Sequence, residues 1–307
     1  MNEIKRVAIL GAGAMGAYFA TRFFESGFDT CLVARGQRNE RLSREGLIVN
    51  GKKYLIPVID PDTARQPVDL ILVGLKHHHL QEAASGLDKL VGESTVFLSV
   101  MNGLESEEIL GSMYGMDKVV YALSLGIDAV RNGNEITYTT PGTHYFGEAR
   151  NEVITPRVKR IQDAFDRAGI AWKTPEDMMR WLWWKFMINV GVNQASAVTR
   201  MTYSAFQQDK IAQELMESLM REVIDLAQAA GIALTDEDIT NWYPILNRLS
   251  PQGKTSMLQD IEARQKTEVE VFSGRAIALG KQYGIPTPVN ETIFRIIKSL
   301  EKGYGAA

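Results

Sequence analysis

A run of apolar residues gives way to glycines within the first sixteen positions: Val7-Ala-Ile-Leu-Gly-Ala-Gly-Ala-Met-Gly16. The apolar part suits a strand buried in a parallel sheet, and an amphipathic helical pattern follows the last glycine. Between them stands Gly11-x-Gly13-x-x-Gly16, where each glycine meets a mechanical need. Gly11 turns the chain tightly, Gly13 lets backbone approach a pyrophosphate, and Gly16 lets the helix pack against the strand. With Ala12 as spacer, the N–H groups around Ala14 and Met15 then face an anion at the positive end of the helix. The expectation is an α/β chain whose N-terminal Rossmann domain, built on a parallel sheet, binds a dinucleotide.

The end of the second strand decides which dinucleotide. That strand is predicted at Thr30-Cys-Leu-Val-Ala34. An Asp or Glu just after it would accept a hydrogen bond from a ribose 2′-hydroxyl and favour NAD. Arg35 stands there instead, followed by Arg38, Arg41 and Arg44. A guanidinium grips a 2′-phosphate with two donors and stacks on adenine. The expected cofactor is therefore NADPH, or NADP in its oxidised form.

The first half of the chain alternates strands and helices. A hairpin is expected between Gly46 and Val58 on the Asn50-Gly51 turn. Buried strands are expected at Val68–Gly74 and Thr95–Val100, and further strands at Val119–Ile127 and Glu135–Phe146, with a turn at Asn132-Gly133-Asn134. From about Pro156 the pattern is helical to the end. Thr174-Pro-Glu-Asp177, Thr235-Asp-Glu-Asp238 and Thr267-Glu-Val-Glu270 each match an N-cap Thr with an acid three residues on, and Gly169 and Gly231 punctuate helix ends. The predicted division is a dinucleotide-binding domain over 1–173 and an all-α substrate or catalytic domain over 174–307.

Composition narrows the class further. The chain has 307 residues, enough for two cores. Its net charge of −3 suggests neither a nucleic-acid nor a membrane surface. The single cysteine, Cys31, can form no internal disulfide, which fits a reducing compartment. The first residues run straight into a strand, leaving no room for a secretory leader, and no apolar stretch approaches the ~20 residues of a membrane span. A cytoplasmic enzyme is expected, and either a monomer or a homodimer would fit.

The helical half opens on Trp181-Leu-Trp-Trp-Lys185-Phe-Met-Ile-Asn189-Val-Gly-Val-Asn193. Lys185, Asn189 and Asn193 recur every four residues, so one helix face carries an ammonium and two amides. Polar groups on an otherwise apolar helix are costly to bury alone, so that stripe reads as a wall facing a ligand. The tryptophans read as packing, as does the Met-bearing stretch Leu215–Met220. In the first half, Lys76 and Asn102-Gly103 each follow a strand, at the sheet edge where ligands bind. His77-His78-His79 is not a metal site, because consecutive helical residues diverge by about 100°.

Taken together these residues resemble the ketopantoate reductase (2-dehydropantoate 2-reductase) family. The resemblance rests on Gly11–Gly16, Arg35, Lys76, Met101-Asn-Gly103, Thr140-Pro-Gly142, Gly147-Glu148, the Lys185/Asn189/Asn193 helix, Ser256-Met-Leu-Gln-Asp260 and Thr267-Glu268. It implies NADPH-dependent reduction of 2-dehydropantoate to pantoate, a step of pantothenate and coenzyme A biosynthesis. It also implies that Lys185 is the proton donor and that Asn102, Asn189, Asn193 and Ser256 bind the 2-oxo acid. Lys76, Asn102 and Glu268 would touch the cofactor or brace the site. Ser256 and Glu268 would lie roughly 18 Å apart on one unbroken helix, so a fresh helix start near Thr267 is expected. Several positions depart from the family pattern: Tyr203 and Gly253 stand where asparagines are common, and the common Thr-Glu-x-Asp…Asn-Gly becomes Thr267-Glu-Val-Glu270…Ser273-Gly274, a milder change. The readings left open are a reductase of another 2-oxo acid and a non-catalytic NADP(H)-binding sensor.

Overall fold

The computed structural model describes residues 3–133 and 135–305. Contacts divide the chain into two compact units, Met1–Met178 and Met179–Ala307, just past residue 173.

The first unit is built on an eight-stranded sheet. In chain order its strands are β1 (Arg6–Leu10), β2 (Asp29–Val33), β5 (Val58–Ile59), β6 (Val68–Val73), β7 (Val91–Ser99), β8 (Val119–Ile127), β11 (Pro141–Gly147) and β12 (Trp172–Lys173). They lie in the order β12-β11-β8-β7-β6-β1-β2-β5. Every pairing is parallel except that of β11 with β8. The period-2 alternation of the central strands makes two cores. Val7 and Ile9 of β1 pack in one with Phe19 and Phe23 of helix α1 (Ala14–Glu25) and Phe165 of α5 (Pro156–Arg167). Ala8 and Leu10 pack in the other with Leu80 of α3 (Leu80–Ala84) and Leu110 of α4 (Ser106–Tyr114). Helices on both faces of a parallel sheet make this a doubly wound domain.

The hairpin on Asn50-Gly51 forms as expected between β3 (Leu47–Val49) and β4 (Lys52–Tyr54), with both turn residues at positive φ, +48° and +75°. The expected strand over Glu135–Phe146 is two strands. β10 (Glu135–Thr137) pairs with β3 and with β9 (Val130–Asn132) in a small second sheet, and only β11 joins the main one. Asn134, part of the expected turn, lies outside the described residues. The helical pattern after Pro156 is also interrupted, because β12 adds to the sheet edge beside β11.

The second unit is helical. Its helices are α6 (Met178–Ile188), α7 (Gln194–Thr199), α8 (Tyr203–Gln208), α9 (Lys210–Ala229), α10 (Asp236–Leu246), α11 (Ser256–Glu262), α12 (Arg275–Tyr283) and α13 (Pro288–Lys302). Of the three Thr start signals, Thr235 forms a complete capping box with Asp238. Thr174 does not start a helix: α6 begins at Met178, and the Thr174 hydroxyl accepts from Gln162 instead. Thr267 does not cap with Glu270 either. Its N–H and hydroxyl both donate to Glu301, and Glu270 takes Lys298. In both cases a tertiary partner won over the local one.

Candidate functional site

The glycine loop has the geometry its residue types demand. Gly11 sits at φ +106°, and a Cβ there would meet the Gly74 carbonyl oxygen at 2.4 Å. A Cβ on Gly16 would lie 1.7 Å from the Gly11 carbonyl oxygen, so only glycine lets α1 close on β1. Beside Gly13 the nearest atom is 3.8 Å away, which leaves its backbone open to approach. Gly13 is also the N-cap of α1, and no side chain caps that end. First-turn N–H groups at the positive end of a twelve-residue helix fit a pyrophosphate.

The other first-unit candidates stand at the same sheet edge. Gly11, Arg35, Lys76 and Asn102 follow β1, β2, β6 and β7, which are neighbours in the order β7-β6-β1-β2. Chain order reverses direction at β1 beside β6, and such switch points open a crevice at the carboxyl ends of the strands. Lys76 caps the short turn His77–His79, and Asn102 is half-buried ahead of Gly103 at φ +96°. A cavity of about 210 Å³ lies at this edge, lined by Gly11, Arg35, Arg38, Pro61, His79 and Glu82 among others. Its place between the glycine loop and the end of β2 suits the adenosine half of a dinucleotide.

Of the arginine run after β2, the cavity takes Arg35 and Arg38. Arg38 lines it, and burial together with Arg131 and Arg41 draws the Arg38 guanidinium below its ordinary pKa. Arg35 also lines it, but its Nε donates to Asp62 Oδ2 at 3.1 Å and its Nη2 donates to the Ser85 carbonyl at 2.9 Å. No local signal links Arg35 to Asp62, which lies 27 residues away in sequence. Among the described residues no group of three or more His, Cys, Asp or Glu could hold a metal, and no helix is long and apolar enough to cross a membrane.

In the second unit Lys185 and Asn189 are half-buried among mostly buried neighbours, whereas Asn193 is buried. Trp183 and Trp184 are buried, and Trp184 donates to the Asp238 carbonyl. The expected single helix through Asn193 is not continuous: α6 ends at Ile188 and Asn189–Asn193 form a π-turn before α7. The wider turn shifts Asn189 and Asn193 off a strict four-residue register. Such turns recur at functional positions in helices. A second π-turn, Glu270–Gly274, follows Glu268, whose carbonyl accepts from Val271 and Phe272.

A buried polar network joins the two π-turns. Gln194 donates to the Val190 carbonyl at 2.8 Å, inside the first turn, and accepts from the Ser273 N–H, inside the second. Ser273 and Gln194 both reach Asn290, which donates to Glu222 at 2.7 Å. Ser256 opens α11, capped by Thr255, and α11 packs against α7 and the first π-turn. Asn189, Asn193 and Ser256 thus come from mutually packed elements of one unit, Lys185 stands on α6 just before the first π-turn, and the second π-turn, which follows Glu268, packs on the first. The break between α11 and the second π-turn separates Ser256 from Glu268, as the spacing argument required. Two of the departures meet as well: Tyr203 N–H donates to the Gly253 carbonyl, and a Cβ on Gly253 would lie 3.0 Å from the Tyr203 ring.

Comparison with known proteins agrees with an α/β part followed by a helical part. The chain matches the family models "Ketopantoate reductase PanE/ApbA" over residues 7–151 and "Ketopantoate reductase PanE/ApbA C terminal" over residues 177–301. It is 24% identical to a 2-dehydropantoate 2-reductase of Aquifex aeolicus, over 97% of each chain. It is 25% identical to that of Archaeoglobus fulgidus, over 98% of this chain and 99% of the relative. Among solved structures, D-mandelate dehydrogenase with NADH and anilino(oxo)acetate superposes with TM-score 0.89 at 20% identity, covering 98% of this chain and 99% of that one. A ketopantoate reductase from Ralstonia eutropha JMP134 gives 0.85 at 24%, with the same coverage. The two family models together span most of both units, and the chain belongs to the ketopantoate reductase family of oxidoreductases.

Proposed function

We propose that this chain reduces the keto group of a small 2-oxo acid with NADPH, with 2-dehydropantoate as substrate and pantoate as product. The observation that carries the reading is the presence, in one family member, of an uncapped glycine-loop helix and of the Lys185/Asn189/Asn193 stripe, in which Lys185 and Asn189 are half-buried and Asn193 is buried. Gly11, Ala12, Gly13, Ala14, Met15 and Gly16 hold the pyrophosphate, and Lys76 and Asn102 meet the cofactor beyond it. When bound, the reduced nicotinamide supplies a hydride to the ketone carbon. Lys185 stabilises the charge that develops on the oxygen and gives it a proton, so that one hydride and one proton convert ketone to alcohol. Asn102, Asn189, Asn193 and Ser256 orient the acid through its oxygens. Glu268 provides the negative charge that keeps Lys185 an ammonium. The reading includes a cytoplasmic location and no nucleic-acid or membrane partner.

A second reading, reduction of a different 2-oxo acid, is favoured by the Tyr203–Gly253 contact, which puts a ring where the family pattern has amides. Both readings are tested by following NADPH consumption over a panel of 2-oxo acids that includes 2-dehydropantoate and aromatic members. Highest kcat/KM on 2-dehydropantoate supports the first reading. Preference for an aromatic acid supports the second. Tight NADPH binding without turnover on any member would leave a sensor and remove both.

A further inference from the structure

The end of β2 carries no acid, yet the fold brings one there. Asp62, in the short turn Pro61–Thr63, accepts from Arg35 through both carboxylate oxygens, Nε to Oδ2 at 3.1 Å and Nη2 to Oδ1 at 3.3 Å. The Ser85 carbonyl takes Nη2 as well, at 2.9 Å. Gly86, at φ +77°, completes the cradle: a Cβ there would lie 2.8 Å from Nη2. Pro61, next to Asp62, and Arg35 itself line the cavity beside Gly11. The guanidinium edge that a phosphate would use is therefore already engaged by a carboxylate at the wall of the candidate adenosine site.

The two possible riboses meet this arrangement differently. A 2′-phosphate brings nearly two negative charges, so it must take Arg35 from Asp62 or bind beside a like charge. A 2′-hydroxyl is a neutral donor, and a carboxylate accepts from it, as the acid at the end of β2 does in NAD-binding domains. Arg38 pulls the other way. It lines the same cavity and feels Arg131 and Arg41 as neighbouring cations, a setting that a phosphate would relieve.

We infer that Asp62 is a specificity-determining residue: by engaging Arg35 it restrains the preference for NADPH over NADH, while Arg38 sustains that preference. This rests on the dinucleotide reading above and extends it to a residue outside the glycine loop and the Lys185 stripe. The test is to measure dissociation constants for NADPH and NADH separately, in the wild type, Asp62→Asn and Arg38→Ala. Asp62→Asn keeps the shape and an acceptor for Arg35 while removing the charge. It should raise the NADPH:NADH affinity ratio about tenfold, mainly by tightening NADPH, and Arg38→Ala should lower the ratio by a similar factor. A purely structural role for Asp62 would weaken both cofactors together. A ratio unchanged within about twofold in Asp62→Asn, or moved toward NADH, overturns the role of Asp62 while leaving the dinucleotide site intact. Failure of the wild type to bind either dinucleotide removes the site and the inference with it.

Discussion

At the scale of single residues, the site divides into groups whose role is local and groups whose role depends on a distant partner. The glycine loop is of the first kind. Gly11 and Gly16 are required by atoms within the same βα turn or by Gly74 just past the neighbouring strand, and Gly13 leaves its backbone open, so the loop's geometry could be read from spacing alone. Lys185 is similar, since its four-residue spacing from Asn189 is visible in the sequence itself. Replacing Lys185 with Ala should lower kcat by about 10²–10⁴-fold, the range for loss of a general acid. NADPH affinity, set in the other unit, should stay within about twofold of wild type. Single-turnover kinetics with a fluorescence titration of NADPH checks both, and wild-type-like turnover would take Lys185 out of the mechanism. Arg35 shows the limit of such reading. Its residue type announces a phosphate ligand, but its carboxylate partner is 27 residues away and belongs to no motif. Tyr203 and Gly253 were visible as two separate departures, and only the fold reveals them as one contact.

At the scale of elements, the π-turns set the polar stripe in place. The sequence spacing of Lys185, Asn189 and Asn193 predicts one even helix, because local periodicity carries no information about an i→i+5 bond. What widens the turn is tertiary. Gly191 lies against α9, where a Cβ would come within 2.6 Å of Met220 Cγ and 3.1 Å of the Met216 carbonyl. Gly191→Ala must therefore push α9 away or displace Met220. Overpacking of this kind costs about 1–3 kcal/mol. The variant should melt several degrees lower and raise KM for the 2-oxo acid more than it weakens NADPH binding. Equal effects on both would mean that the turn does not position the substrate residues. Asn290, which is fully buried, gives a second handle on the same arrangement. Asn290→Ala leaves acceptors on Glu222 and donors on Ser273 and Gln194 without their partner, and should cost roughly 2–5 kcal/mol in a urea titration. Neither Gln194 nor Asn290 stands out in the sequence, because a buried amide is recognised only by what surrounds it.

At the scale of the whole molecule, the α/β-then-α order was legible because it rests on periodicity sustained over long segments, whereas β12 was not. Two residues of strand between helices, Trp172 and Lys173, carry no period of their own and are strand only because β11 offers an edge. Both units depend on carboxylates held in the charged form. In the first, burial pushes the Glu148 carboxyl up, but hydrogen bonds from Arg157 and Thr155 outweigh it and hold it below its ordinary 4.5. In the second, burial likewise pushes Glu301 up, and Lys298 with Thr267 outweighs it. A carboxyl depressed in the folded state contributes stability that is present above about 4.5 and is lost as pH falls through its lower folded value. Acid should therefore destabilise both units. Glu148→Gln should lower stability at about pH 7 by roughly 1–3 kcal/mol and lose less than the wild type on going to about pH 4. Glu301→Gln should do the same through the other unit. Urea titrations at the two pH values read this directly, and a pH dependence in Glu148→Gln as steep as that of the wild type would mean that the Glu148–Arg157 pair does not set the acid limit of the first unit.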